Sequence, residues 1–149
     1  MNAQEYKTKI LLAEDEEYHI FIIRKALAAI KDFSYELQVG YDGEEIMSIL
    51  TGPQRYNPDL ILMDIKLPKK NGFELLKEIR QDDDLKMIPI IILTSSARKQ
   101  DIQDCYKLGC NSYVVKPMNF DKFKEIIYYL YKYWILASTL PTQTDIFVS

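Results

Sequence analysis

A chain of 149 residues, 48% hydrophobic and 28% charged, is long enough for one domain with a real core and too apolar for disorder. Its formal charge of -3 argues against nucleic acid as a principal partner, because neutralising phosphates takes clustered Lys and Arg. No apolar run approaches the roughly 20 residues of a membrane helix, and no apolar segment opens the chain as a secretory signal. Cys105 and Cys110 are too few for a disulfide framework or a zinc site, so the expected compartment is the reducing cytoplasm.

Short β-branched runs then alternate five times with helical patterns. The first strand is expected over about residues 8 to 13, followed by a helix with Phe21, Ile22, Ala26, Leu27 and Ile30 near helical spacing. Tyr35 to Tyr41 alternates weakly, as an edge strand does, and Gly43 to Leu50 reads as a short helix. The stretch from Thr51 to Pro58 is turn chemistry. Leu60-Ile61-Leu62-Met63 is a buried strand ending at Asp64, and the loop from Lys66 leads to Asn71, a cap for the helix of Phe73, Leu76 and Ile79. Ile90 to Leu93 is the fourth strand; a helix over about Lys99 to Leu108 stops at Gly109. Tyr113-Val114-Val115 runs into Lys116, and Asn119 can cap a long final helix. Alternation of this kind, with right-handed crossovers and strands apolar on both faces, predicts an α/β fold: a doubly wound five-stranded parallel sheet. One domain over residues 5–137 is expected, then a polar tail over 138–149 closing on Ile146-Phe147-Val148.

In an open parallel sheet the ligand crevice lies beyond the carboxyl ends of the strands. Four strand ends here carry Glu14 and Asp15, Asp64, Thr94, and Lys116. Three carboxylates, a hydroxyl and an ammonium suit a hard cation and a phosphoryl group. Asp64 is the candidate nucleophile, since a carboxylate can attack phosphorus to give an acyl phosphate. Two like charges ~4 Å apart repel by about 4 kcal/mol at an effective dielectric of 20, so a divalent cation is needed, and Mg2+ suits one or two carboxylates plus water. Taken singly these residues say less: Asp15 reads equally as a helix N-cap, Glu14 as a solvated rim residue, Lys116 as a surface lysine. The coincidence of four complementary strand ends is what carries weight.

These segments resemble the receiver domains of two-component response regulators over roughly residues 7 to 136. LLAEDEE is similar to the family's acidic pair, LILMDIKLPKKNG to its phosphoacceptor segment, IIILTSS to its hydroxyl position and YVVKP to its lysine. The spacings of 30 residues from Asp64 to Thr94 and 22 from Thr94 to Lys116 fit as well. The resemblance implies the flavodoxin-like strand order 2-1-3-4-5. It also implies phosphorylation of Asp64 by a sensor histidine kinase, and Mg2+ at Glu14, Asp15, Asp64 and the carbonyl of Lys66. Tyr113 resembles the aromatic switch that responds when Thr94 engages the phosphoryl group. The family would make Lys116-Pro117 cis, although base rates favour trans, with cis at ~5% of X-Pro bonds. Lys66 and Ser96 stand where the family tunes hydrolysis of the aspartyl phosphate. The LPKKNG loop and the helix ending in Tyr133-Trp134 further resemble small regulators that partner bacterial phytochromes.

Two rivals use parts of the same chemistry. A phosphatase of the haloacid-dehalogenase type wants a second Asp two residues after the nucleophile, where this chain has Lys66. A flavin-binding module wants a phosphate cradle after the first strand, where Glu14 to Glu17 would repel anions. A pseudo-receiver acting without phosphorylation is a third alternative. About twelve residues follow the receiver-like region, so output is expected through the surface to an unnamed downstream protein. In the final helix Phe123, Ile126, Ile127, Leu130 and Trp134 are expected to face the core, while Tyr128, Tyr131 and Ile135 form a second apolar side and a possible homodimer contact. His19 is expected to be a lone surface histidine.

Overall fold

The computed structural model describes residues 6–146. The elements run β1 Thr8–Ala13, α1 Glu17–Ala28, β2 Tyr35–Gly40, α2 Gly43–Thr51, β3 Leu60–Met63, α3 Gly72–Gln81, β4 Ile90–Thr94, α4 Lys99–Leu108, β5 Ser112–Val115 and α5 Phe120–Leu130. All strand pairs are parallel, in the order β2-β1-β3-β4-β5. This is the expected doubly wound sheet. Among the described residues no helix is long and apolar enough to cross a membrane.

Successive strand residues face opposite sides, so the near-continuous apolar runs feed two cores at once. Leu11, Ile61, Met63, Ile90 and Ile92 pack with Ile46, Leu50, Leu75, Leu76 and Ile79. Ile10, Leu12, Leu60, Leu62, Ile91 and Leu93 pack with Ile20, Ile23, Leu27, Phe123 and Ile127. The central strands β3 and β4 are buried throughout, whereas β2 alternates and β5 is only half-buried, as edges are.

Helix termini carry much of the local specification. Asn71 and Glu74 form a reciprocal capping box at α3, and Asn119 Oδ1 accepts from the backbone of Lys122 at α5. Asp42 caps α2 in the same way. Gly109 ends α4 with φ 103, a left-handed conformation that a side chain would resist. At the start of α1 the N-cap reading of Asp15 does not hold. The N-cap is Glu16 without a side-chain bond, and the carboxylate of Glu14 instead accepts from the backbone N–H groups of Asp15 and Glu16.

Expectations for the apolar faces of two helices need correcting. Phe21 is exposed, with Lys25 over its ring, while Ile20 and Ile23 take the core positions of α1. The last helix does not keep one period: after α5 it widens into a π-helix over Tyr131–Ala137. Tyr131 and Ile135 lie on the core side, the ring of Tyr131 lying 4.6 Å from that of Phe33 between centroids. The large apolar groups left outside are Phe120, Tyr128, Tyr129, Tyr133 and Leu136. Beyond residue 137 the segment is docked: Leu140 is 1% exposed, and a 3-10 helix over Pro141–Ile146 brings the Thr142 hydroxyl to Asp59. Phe147 and Val148, expected to close an apolar end with Ile146, lie outside the described residues.

Candidate functional site

The sheet ladder runs past the last strand residues and so aims the side chains that follow. Glu14 N–H donates to Gly40 at 3.1 Å, Asp64 N–H to Ala13 at 3.0 Å, and Lys116 N–H to Thr94 at 2.7 Å. Glu14, Asp64 and Lys116 thereby share one rim. Gly72 completes the floor: a Cβ there would lie 2.7 Å from the carbonyl oxygen of Asp64 and 2.5 Å from Cα of Ile65. Only a glycine lets α3 start this close behind Asp64.

The centre of the site is an ammonium between two carboxylates. Lys116 Nζ donates to Glu14 Oε1, to Asp64 Oδ2 at 2.8 Å, and lies 3.0 Å from His19 Nδ1. Glu14, Asp64 and Lys116 are 1%, 6% and 5% exposed, so these charges meet with little water. The remaining carboxylate oxygens are satisfied by backbone: Glu14 Oε2 by Asp15 and Glu16, Asp64 Oδ1 by the N–H of Lys66 at 3.1 Å. Two carboxylates against one ammonium leave the cluster one negative charge in excess. Burial pushes the Glu14 carboxyl up to about 7, against the pull of the Lys116 ammonium and with Asp64 adding to the rise. Burial and the neighbouring ammonium both lower the pKa of His19 and favour its neutral form. Chemically, the arrangement offers a poised nucleophilic oxygen, a movable positive charge and a place for a cation.

Thr94 is fully buried at the end of β4, and its Oγ1 accepts from the N–H of Ser96 at 3.5 Å. Ser96 is tied on both sides. Its hydroxyl donates to Asp101 of α4 at 2.6 Å, and its carbonyl accepts from the Tyr113 hydroxyl at 2.8 Å. Tyr113 is half-buried and already linked to the β4–α4 loop, so it is not a free ring at a sheet margin. The Lys116-Pro117 bond is trans.

Two expected residues remain at the periphery. Asp15 is exposed and lies outside the convergent group, although near enough to His19 to act on its charge. Lys66 is exposed and meets the site through its backbone N–H. Glu14, by contrast, is not a solvated rim residue at all. The residue that sequence reasoning missed is His19. It is one-fifth exposed, with Nδ1 3.7 Å from Glu14 Oε1 and 3.0 Å from Glu16 Oε2. The signal was its position in the first turn of the helix directly after the acidic pair.

Comparisons with known proteins agree with this fold. A family model described as the response regulator receiver domain matches residues 10–128. The response regulator Rcp1 of Synechocystis sp. is 35% identical over 136 residues, spanning 89% of this chain and 92% of the relative. The crystal structure of the phosphorylated cyanobacterial phytochrome response regulator RcpA superposes with a TM-score of 0.87 at 36% identity, covering 91% of this chain and 99% of that one. The Mn(2+)-bound form of Rcp1 superposes with a TM-score of 0.85 at 33% identity, covering 90% and 99%. A matching sheet order, strand-end chemistry at the same rim and sequence similarity over most of its length lead to one conclusion: this chain belongs to the response regulator receiver domain family of two-component signalling.

Proposed function

We propose that this response regulator accepts a phosphoryl group on Asp64 from the phosphohistidine of a sensor kinase, in a Mg2+-dependent reaction. The observation that carries the reading is the convergence of Glu14, Asp64 and Lys116 at one nearly dry point on the carboxyl rim of the sheet. Asp64 Oδ2 attacks phosphorus while the bond from phosphorus to the kinase imidazole nitrogen breaks. The electron pair leaves with the imidazole, and Asp64 becomes an acyl phosphate. Lys116 then turns from the lost carboxylate oxygen to a phosphoryl oxygen, and Thr94 donates its hydroxyl to another.

The donor set fits a divalent cation: two buried carboxylates, Glu14 and Asp64, with Asp15 at the rim, and the Lys66 carbonyl would be the further donor that the family resemblance implies. Bound there, Mg2+ would neutralise the excess negative charge and screen the incoming phosphoryl oxygens. The chain's own groups thus promote its phosphorylation and dephosphorylation, and it turns over no other substrate. Withdrawal of Thr94 toward the phosphoryl group would pull on Ser96, the residue bridging Tyr113 and α4. That is the route by which the surface of α4, β5 and α5 would change.

A kinase of the phytochrome class is the partner we favour, because RcpA and AtBRR are both phytochrome-class response regulators at 36% identity. The downstream protein is recognised through the changed surface, and the compartment is the cytoplasm, in keeping with Cys105 and Cys110 as buried free thiols. The exposed tyrosines of the last helix, Tyr128, Tyr129 and Tyr133, support a homodimer on that side. The test of the central reading is incubation with Mg2+ and acetyl phosphate followed by intact-mass and peptide analysis. One phosphoryl group on Asp64 is expected. No uptake, or uptake elsewhere, would replace this reading with a phosphorylation-independent binding module.

A further inference from the structure

Cys105 and Cys110 are free thiols that phosphoryl transfer leaves unused. In a continuing α-helix, residues five apart lie about 8–9 Å from each other on different faces, too far for a covalent bridge. The end of α4 changes that. Gly109, at φ 103, turns the chain back, so that its N–H donates to the Tyr106 carbonyl at 3.1 Å and Cys110 N–H to the Cys105 carbonyl at 3.0 Å. This pair of bonds is the Schellman motif, whose outer two residues commonly meet in an apolar contact. Here both are cysteines. The outer bond holds their Cα atoms within roughly 6.9 Å even if its atoms were collinear. Bends at oxygen and nitrogen bring them into the range of about 4.4–6.8 Å that a disulfide spans. Both side chains belong to one core cluster, and Cys110 lies close enough to act on the charge of Cys105. Cys105 is 0% exposed and Cys110 8%, so only Cys110 reaches the surface.

We propose that Cys105 and Cys110 are a redox pair, oxidised by a low-molecular-weight disulfide to an intramolecular bridge that fastens the end of α4 to the approach of β5. The Cys110 thiolate attacks one sulfur of the small disulfide, whose S–S bond breaks and releases one thiolate. The Cys105 thiolate then attacks the Cys110 sulfur of the mixed disulfide and expels the second. Two protein thiols thereby lose two electrons and two protons, and the small disulfide leaves as two thiols. Cys110 is the entry point because it is the more exposed. Burial pushes the Cys105 thiol up to about 12 and the Cys110 thiol, with the Arg80 guanidinium pulling the other way, up to about 11. Both stay protonated at neutral pH, so exchange is slow and the bridge answers sustained oxidation. In a reducing compartment such a bridge is transient. Cys105 lies near Tyr113, which packs on the same cluster, and the bridge would join two elements of the surface that the switch reshapes. The pair stands before β5, at the rim of the sheet opposite Asp64, and its chemistry is independent of phosphoryl transfer.

Intact-mass measurement of the native chain equilibrated with oxidised and reduced glutathione tests the pair. A loss of about 2 Da is expected, the two hydrogens of the thiols, and dithiothreitol should restore them. Cleavage after Lys107 should return the two cysteines as one cross-linked pair of peptides. The equilibrium constant for bridging should be at least about tenfold larger in the native protein than in denaturing urea, because the fold already holds the two sulfurs together. Cys105→Ala lacks the second thiol and should instead keep a glutathione adduct on Cys110. A persistent adduct on the wild type, a bridge between two chains, or a constant no larger in the native state than in urea would overturn the assignment. So would an unreacted Cys110 in Cys105→Ala.

Discussion

Strand β3 has a buried carboxylate at each end, and the two are treated in opposite ways. Asp59, just before the strand, is fully buried and accepts from the Tyr6 hydroxyl at 2.7 and 2.8 Å, from the N–H of Lys9 at 2.8 Å and from the Thr142 hydroxyl. Each of these donors is neutral, and two of them come from opposite ends of the chain. Asp64, just after the strand, has one backbone donor and one ammonium that can leave. The first carboxylate closes a structure, and the second is held by something replaceable. Burial alone does not mark a reactive carboxylate; the identity and mobility of its partners do.

The contrast can be broken most decisively at Asp64. Asp64→Asn removes the attacking oxygen at almost constant volume, so phosphoryl uptake measured by intact mass should fall to zero with the circular dichroism unchanged. At the other end of β3, Asp59→Ala should leave uptake intact but strand three donors, costing about 1–3 kcal/mol in urea denaturation. If Asp59→Ala also silenced phosphorylation, the two ends would not be independent.

A smaller effect appears in the pH dependence of the metal-free protein. Glu14 titrates near 7 when folded against an ordinary 4.5, with burial as the main cause. The folded state therefore binds the extra proton between those values, and the stability contribution is full below about 4.5 and lost as pH rises through about 7. Urea midpoints should show this decline between pH 5 and 8, and Glu14→Gln should flatten it; a wild-type and mutant difference independent of pH would contradict the assignment. The smallest change is expected at the surface. Tyr128→Glu or Tyr133→Glu should shift sedimentation velocity toward monomer without altering phosphoryl uptake. A coupling of ~1–3 kcal/mol to beryllofluoride, a phosphoryl mimic, would change the dimer constant about 5- to 150-fold. A wild-type protein monomeric with and without the mimic would eliminate the dimer.

The positions Asp64, Thr94, Lys116 and Glu14 could be read from sequence because a parallel sheet converts the end of each apolar run into a place on one rim. Element boundaries were legible because the runs are short, bounded and apolar on both faces, whereas the strand order came only with the family resemblance. His19 was only half legible: its place in the first turn after the acidic pair was visible, but its approach to the pocket depends on how α1 is rotated on the sheet. Phe21 shows the same limit, being apolar, near helical spacing, and yet outside. Asp59 sits after turn residues and looks like the polar end of a loop; its donors, Tyr6 and Thr142, lie 53 and 83 positions away. The widening after Leu130 has no composition that announces it. Tyr131 stands four residues after the core residue Ile127, and spacing from Tyr128 alone hides that it shares this face.

The π-helix at Tyr131–Ala137 gives the end of this protein a tolerance for chain length that its sequence does not advertise. An α-helix turns about 100° per residue and the wider π turn less, so its 7 residues sweep roughly the angle that about six would in ordinary winding. Removing one residue there would restore ordinary winding and leave the downstream segment close to its present orientation, with Leu140 still near its burial site and Thr142 still near Asp59. A deletion upstream in α5, where there is no such slack, would instead swing everything after it by about 100°.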